Sequence, residues 1–386
     1  MTDRALTSGE NFRSLFAVIT AMGVTSALYA LTLPLFSTRL DAMGESETVI
    51  GINAAAQAIA LLAIAPFFVG FLQRLGPAVL MLWMLAATLV FILLCPLYEN
   101  AWYWLVLRLL LGASTGVMWI AGEAWINQAV DDKSRGRVLS LYGIAGAVGT
   151  MVGFALMYLI QYLEMADWTP FVIIAAMVAA CMVAIVPAVP VAPPFTGTQS
   201  QPMIGLFFVA PTPFLINLLV AVSFGSLASF MSVYGTDIGI PLDDTFLLLI
   251  LLSAGGLMLY PIGWLADRMD RRKLALIIML ILIVLFAIMG MALRDPVLRW
   301  PYAVCLGIGI MGLYTLGLSL LGARFRNADL GAATTVFQIM WNSGVVVGPF
   351  AIGFAMDMTG PSGLPWTIIV FFVVVAAITA MRRQHR

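Results

Sequence analysis

Two helix-spaced constellations hold most of the polar chemistry that this chain places inside apolar sequence. The first lies between Trp102 and Asn127 and includes Arg108 and Glu123. At about 100° per residue these two charges fall within about 60° of one face. Gly112, Thr115, Trp119 and Gly122 lie within about 40° of Arg108. The stripe reads cation, small, hydroxyl, aromatic, small, carboxylate. Arg108 and Glu123 are about 22 Å apart along a helix axis, too far to neutralise each other. An ionisable group at depth is expensive and faces a cavity or a partner. Arg108 is therefore a candidate for solute binding; the alternative is an arginine that snorkels to the interface near Trp102. Glu123, if enclosed, is a candidate proton carrier. The alternative is an interfacial acid paired with Lys133 or Arg135.

The second constellation is Thr334, Thr335, Gln338, Trp341 and Asn342, all within about 60° of Gln338 on a helix. Two amides one turn apart beside an indole can hold a ligand by hydrogen bonds and stacking. The alternative is interhelical glue, worth about 0.6–2 kcal/mol per contact. Gly344 and Gly348 point about 80–120° away and read as a packing seam that ends at Pro349. Asn53 and Gln57 repeat the amide pair, and Tyr29 and Tyr314 are further candidate solute contacts. For these the alternative is packing, which is also the reading of the row Ser223, Ser226, Ser229 and Ser232.

Enzyme chemistry has no foothold. The 1 histidine, His385, sits in a basic tail, and Cys95, Cys181 and Cys305 occupy separate apolar runs, where they read as buried small hydrophobes. Neither a metal cluster nor a nucleotide-binding glycine pattern stands in a suitable context, so no cofactor, metal or nucleic-acid partner is expected.

The elements that must position these groups are membrane helices. Hydrophobic residues make up 62% of the chain and charged residues 10%, with a mean hydropathy of +1.03. Soluble domains are about 25% charged. A spanning helix needs about 20 mostly apolar residues. Polar breaks divide the sequence into twelve apolar runs near 14–37, 48–72, 78–98, 102–127, 138–161, 169–187, 206–234, 244–266, 274–293, 301–322, 332–355 and 364–381. With the N-terminus in the cytoplasm, all 19 Lys and Arg except Arg39, Arg108, Arg294 and Arg299 fall on the cytoplasmic side. The positive-inside rule then puts both termini there. The first run is too long for the core of a signal peptide.

Residues 188–203 carry Pro190, Pro193, Pro194 and Pro202 and no charge, and read as an extended cytoplasmic strap. The strap separates an N-terminal six-helix bundle, 1–187, from a C-terminal one, 204–386. At an offset of 195, Gly112, Gly122, Gly149 and Gly153 match Gly307, Gly317, Gly344 and Gly348. The charged turn from Gly263 to Lys273 has a worn copy in Gln73-Arg74-Leu75-Gly76. Parallel repeats of this kind imply a solute path between the halves near mid-membrane.

These motifs resemble the major facilitator superfamily over essentially the whole chain. Gly263-Trp264-Leu265-Ala266-Asp267-Arg268 with the basic residues after it is similar to the family's loop between the second and third helices of each half. Arg108-Leu-Leu-Leu-Gly112 resembles its fourth-helix Arg-x-x-x-Gly motif, whose arginine is tied to proton coupling in many members. Gly344 to Gly348-Pro349 resembles the Gly-Pro helix motif. The segment Gly122-Glu123-Ala124-Trp125-Ile126-Asn127, followed by Ser134-Arg135-Gly136-Arg137, looks like the YcaD-type branch of bacterial transporters. The resemblance implies a cytoplasmic gate formed by Arg74, Asp267, Arg268 and Arg271. Gln73 and Pro77 depart from the pattern, so the second-half loop is expected to dominate.

The combined expectation is an all-α, twelve-helix transporter of the bacterial inner membrane. It is a monomer that carries a small organic solute by alternating access, coupled to protons and biased to export. Its candidate solute contacts are Arg108, Trp119, Gln338, Trp341, Asn342, Asn53, Gln57, Tyr29 and Tyr314. A transport-silent sensor or assembly subunit on the same fold is the competing reading.

Overall fold

The computed structural model describes residues 8–130, 135–193, 205–256, 260–325 and 327–381. Regular structure among them is helical, with no strand. The helices are α1 Ser8–Ala42, α2 Glu47–Leu75, α3 Pro77–Leu94, α4 Ala101–Ala129, α5 Arg135–Tyr162, α6 Thr169–Ile185, α7 Gly205–Val209, α8 Pro211–Asp237, α9 Leu242–Gly255, α10 Tyr260–Arg268, α11 Arg271–Ala287, α12 Met289–Arg294, α13 Arg299–Arg324, α14 Asn327–Thr359 and α15 Gly363–Met381. Among the described residues, 9 stretches are long and apolar enough to cross a membrane. One of them, the 53-residue Asp329–Met381, contains both α14 and α15. Two apolar runs read as single spans are each divided. The run 206–234 forms α7 and α8, parted at Ala210 where φ is −145° and ψ 70°, and 274–293 forms α11 and α12, parted at Ile288 where φ is −93° and ψ 3°.

Local chemistry sets the helix ends. Asn100 accepts from the amides of Trp102 and Tyr103 at the start of α4, and Asp270 accepts from those of Arg272 and Lys273 at the start of α11. Each satisfies amides that have no partner within the helix. A single residue, Gly76, joins α2 to α3 with a φ of 73°. Only glycine takes that backbone without a steric cost. Pro77 follows at the first helical position, where its missing N–H is not needed. That explains a proline where the family pattern has a basic residue. The predicted strap begins differently from expectation. Val186–Val191 is a 3₁₀ turn that buries Ala188, since Pro187 and Pro190 are compatible with its three-residue repeat. The part of the strap from 194 to 203 lies outside the described residues, as do Lys133 and His385.

Compactness divides the chain into two units, Met1–Thr32 with Ala56–Gln199, and Leu33–Ala55 with Ser200–Arg386. The glycines matched at offset 195 make the same contacts inside each unit. In the first, a β-carbon on Gly112 would stand 2.8 Å from the carbonyl carbon of Gln57, one on Gly149 2.8 Å from that of Gly23, and one on Gly153 3.1 Å from that of Ala27. In the second, one on Gly307 would stand 2.8 Å from the carbonyl carbon of Leu252, one on Gly344 2.5 Å from Leu218 O, and one on Gly348 2.9 Å from Val222 O. Partners 23, 27 and 57 become 218, 222 and 252 on adding 195. The fourth pair also agrees, Gly122 lying under Tyr142 and Gly317 under Phe337. These helices pack backbone against backbone, as small residues permit in membranes. α14 itself continues through Pro349 to Thr359, and its next glycine, Gly353, meets Glu47 of α2 rather than α8.

Large apolar side chains are plentiful on the outside. Phe67, Trp83, Val106, Leu280 and Val370 are all exposed, a surface suited to lipid rather than water. Cys95 and Cys181 are buried as expected, whereas Cys305 is exposed on α13. The serine row of α8 is fully enclosed, so it packs.

Candidate functional site

In the first unit Arg108 is 1% exposed. It therefore does not snorkel. Tyr29 of α1 and Cys95, next to the end of α3, are the groups that act on it electrostatically. α4 can present the arginine here because Gly112, one turn on, lets α2 approach within backbone contact. The stripe read from sequence divides its labour. Thr115 accepts a hydrogen bond from Gln57 Nε2 at 3.1 Å and donates to Leu111 O at 2.7 Å, stitching α2 to α4. Ser114 and Thr88 form a second stitch, 2.8 Å long, to α3. Leu28, Thr32, Gln57, Thr88, Ile92, Leu111, Thr115 and Ile174 surround a small void beside these stitches, and Gln57 Oε1 is buried there without a partner.

Glu123 is partly buried and takes a side-chain hydrogen bond from Trp119 one turn earlier. The Tyr142 hydroxyl of α5 lies over Gly122, 3.0 Å from where a β-carbon would be, and it too is buried without a partner. Sequence reasoning missed Tyr142. The available signal was its offset match to Phe337, which occupies the same place over Gly317. Lys133 lies outside the described residues, and the side chain of Arg135 is not described.

In the second unit Tyr314, Phe337, Trp341 and Phe224 form one aromatic cluster. Tyr314 meets Trp341 edge-on at 5.6 Å and Phe337 at 5.9 Å, and Phe224 lies 6.5 Å from Trp341. Such separations suit offset or edge-to-face ring packing. Phe224, on α8, was not singled out in the sequence because nothing distinguishes it from a core phenylalanine. Gln338 and Asn342 flank the cluster and are partly buried. Asn342 Nδ2 donates to Gln338 O at 2.9 Å, so one of its two donors is spent inside α14. Thr334 and Thr335 donate to carbonyls of their own helix. The fully buried Asn217 of α8, also missed, donates to Phe337 O at 2.6 Å and ties α8 to α14.

The loop residues have other occupations. The Arg268 guanidinium lies 3.6 Å above the Trp264 ring, and Arg271 Nη1 donates to Ser319 O at 3.3 Å. Arg272 donates through Nε and Nη2 to Thr379 O. Arg74 and Asp267 are exposed. Within the second unit a further contact joins distant sequence. Both oxygens of Asp357, near the end of α14, accept from the first amides of α2, Glu47 N and Thr48 N, each at 2.9 Å. Asn53, on the same end of α2, is 2% exposed.

In the first unit a glycine-seamed helical frame thus encloses the buried Arg108 and the partly buried Glu123. The model of the Major Facilitator Superfamily matches residues 14–314 and 214–385. An uncharacterized MFS-type transporter, YfkF of Bacillus subtilis (strain 168), is 23% identical over 354 residues, 89% of this chain and 88% of that protein. YcaD of Escherichia fergusonii, another uncharacterized MFS-type transporter, is 23% identical over 269 residues, 68% of this chain and 69% of that protein. Among solved structures, the nucleoside transporter NupG superposes with a TM-score of 0.78 at 14% identity, covering 95% of this chain and 98% of its own. A bacterial homologue of the human lysosomal transporter Spinster, inward-facing and unoccupied, superposes with a TM-score of 0.78 at 12% identity, covering 97% of each chain. With well over half of the chain matched by the family model, the chain belongs to the Major Facilitator Superfamily, a family of membrane transporters and not of enzymes.

Proposed function

We propose that the protein is a proton-coupled exporter of a small organic solute, working by alternating access in the bacterial inner membrane as a monomer. The observation that carries this reading is Arg108, a cation kept 1% exposed inside an apolar helix beside Tyr29. A buried charge without a task is costly and is normally replaced. In this reading Arg108, Tyr29 and Trp119 of one repeat and Trp341, Tyr314, Gln338 and Asn342 of the other are the solute-binding groups. Asn53 and Gln57 support them. Aromatic faces with amides favour a flat, neutral or amphipathic solute. Glu123, held by Trp119, carries the proton, with Arg108 assisting the coupling. Twelve spans, in blocks 1–187 and 204–386 joined by 188–203, with both termini cytoplasmic, complete the proposal. Arg74, Asp267, Arg268 and Arg271 belong to its cytoplasmic gate.

The test is a thermal-shift screen of the purified protein at pH 5.5 and 7.5 against lipophilic cations, nucleosides, sugars, amino acids and organic anions. Flux of any hit into vesicles follows. A stabilising solute whose effect changes with pH and disappears in Arg108→Ala supports the reading. A folded protein that binds nothing at either pH and shows no flux overturns it in favour of a transport-silent sensor or assembly subunit.

A further inference from the structure

Asp357 stands at the wrong end of its own helix. It lies in the last turns of α14, where unsatisfied carbonyls make an extra negative charge unfavourable. Its carboxylate is instead spent on α2. Glu47 N and Thr48 N donate to its two oxygens, and Val49 N donates to Ser46 Oγ at 3.4 Å. Three of the four amides that a helix leaves open at its start are thereby satisfied, two of them by a residue 309–310 positions away. A carboxylate at a helix N-terminus is favourable by the same dipole that makes it unfavourable at a C-terminus.

The approach needed for these bonds is set by two glycines, one from each helix. A β-carbon on Gly51 would stand 3.0 Å from the carbonyl carbon of Pro349, and one on Gly353 2.8 Å from that of Glu47. Carboxylate and glycines thus work on the same few turns. Around them other acids gather. Glu47 is acted on by Asp41 of α1, Asp237 of α8 and Asp357 itself, and its Oε2 is buried without a partner. Each of these groups that is ionised works against the contact. The contact is therefore held by directed hydrogen bonds and opposed by local charge.

We propose that Asp357, with Gly51 and Gly353, forms a releasable clasp that holds the first turns of α2 against the last turns of α14. Its release exposes the α2–α14 seam to the outer side during transport. The device rests on the transporter reading only for its purpose and on the proposed orientation only for the word outer; the contact itself is independent of the solute. Release leaves Asp357 facing its own helix dipole and leaves α2 without two caps. The clasped form is therefore favoured, and the bias lies in one side chain.

The experiment uses full-length protein in oriented vesicles, with Cys95, Cys181 and Cys305 replaced and one cysteine introduced by Ile50→Cys. Ile50 is fully buried beside Gly51, so it reacts with an impermeant maleimide only when the seam opens. Asp357→Ala should speed labelling from the outer side about tenfold, the size of a lost charged cap. Asp357→Asn should lie near the parent, since asparagine also caps. Gly51→Val, which leaves the carboxylate in place but wedges the seam, should speed labelling as well. Parent-like labelling of Asp357→Ala, or labelling from the opposite side, overturns the proposal. If Asp357→Ala does not fold, Gly51→Val decides, and an unchanged rate there overturns it equally. No solute is needed, so failure of the solute assignment and failure of the clasp are read separately.

Discussion

Replacing Gly112 by alanine tests whether the glycine seams hold the units together. The new methyl would stand 2.5 Å from Gln57 Cα and 2.8 Å from Gln57 C, both backbone atoms of α2. Carbon atoms pack best at about 3.5–4.0 Å, so α2 and α4 must part by about 1 Å. No side chain can rotate away to relieve the clash. A gap of that size forfeits a quarter to a half of the contact energy along the seam, and overpacking of this kind costs about 1–3 kcal/mol. The separation would also stretch the bond of 3.1 Å from Gln57 Nε2 to Thr115. Against this stands a gain of about 1 kcal/mol from the better helix propensity of alanine. The net expectation is a loss of about 0–2 kcal/mol against the parent, and of about 1–3 kcal/mol against a control that has the propensity gain without the clash. The control is Gly143→Ala on α5, where nothing lies within 4 Å of the new methyl; it should be neutral or slightly stabilising. Unfolding of both variants in detergent, followed by tryptophan fluorescence against denaturant, gives the comparison. Equal midpoints would show that α2 and α4 yield without cost, and the account of the seams would be wrong.

Three further outcomes are expected. Glu123→Gln should abolish solute movement driven by a pH gradient while sparing solute exchange across vesicles at equal pH; unchanged proton coupling would remove Glu123 from the mechanism. Arg299→Ala leaves Asp244, now 2.7 Å from the Arg299 guanidinium, without its partner in a partly buried site. A loss of about 1–3 kcal/mol is expected by equilibrium unfolding, with Asp244→Asn/Arg299→Ala recovering part of it. Asp295, on the exposed turn before α13, accepts from the amides of Leu298 and Val297, which hold its carboxyl below the ordinary carboxylate range. Because the folded-state value is the lower one, its stabilising effect is present above about pH 4 and fades as pH falls through the depressed value. Asp295→Asn, which can still cap, should flatten that part of the pH–stability curve.

What could be read from sequence was whatever repeats or is rare. Arg108 stood out because few charges enter the apolar runs, and its burial follows from that scarcity. The glycine pairs were visible as spacing, while their partners were not, since a backbone carbonyl carries no residue signature. The α11–α12 division escaped notice because hydropathy stays high across Ile288 while the backbone turns aside. The Asp357 contact was illegible for a different reason. A carboxylate near the end of an apolar run looks like an interfacial acid, and nothing local names the amides of Glu47 and Thr48 as its partners. Asn342 was legible as polar, but its bond to its own helix spends one of its two donors.

The register repeated at 195 residues bears on how this protein can move. Where backbone meets backbone, sliding a helix along its neighbour brings the residues three and four positions away, which share the glycine's face, toward the carbonyl that glycine leaves room for. Arg108 and Thr115 stand there on either side of Gly112, and Ala303 and Met311 on either side of Gly307, so their β-carbons oppose shear in both directions. Rolling about the line of contact is not blocked, because it carries no side chain through the seam. The paired helices are thus geared rather than greased. α1 with α5, α8 with α14, and α2 with α4 travel as stiff couples, and any deformation within a repeat must be taken up where such seams are missing.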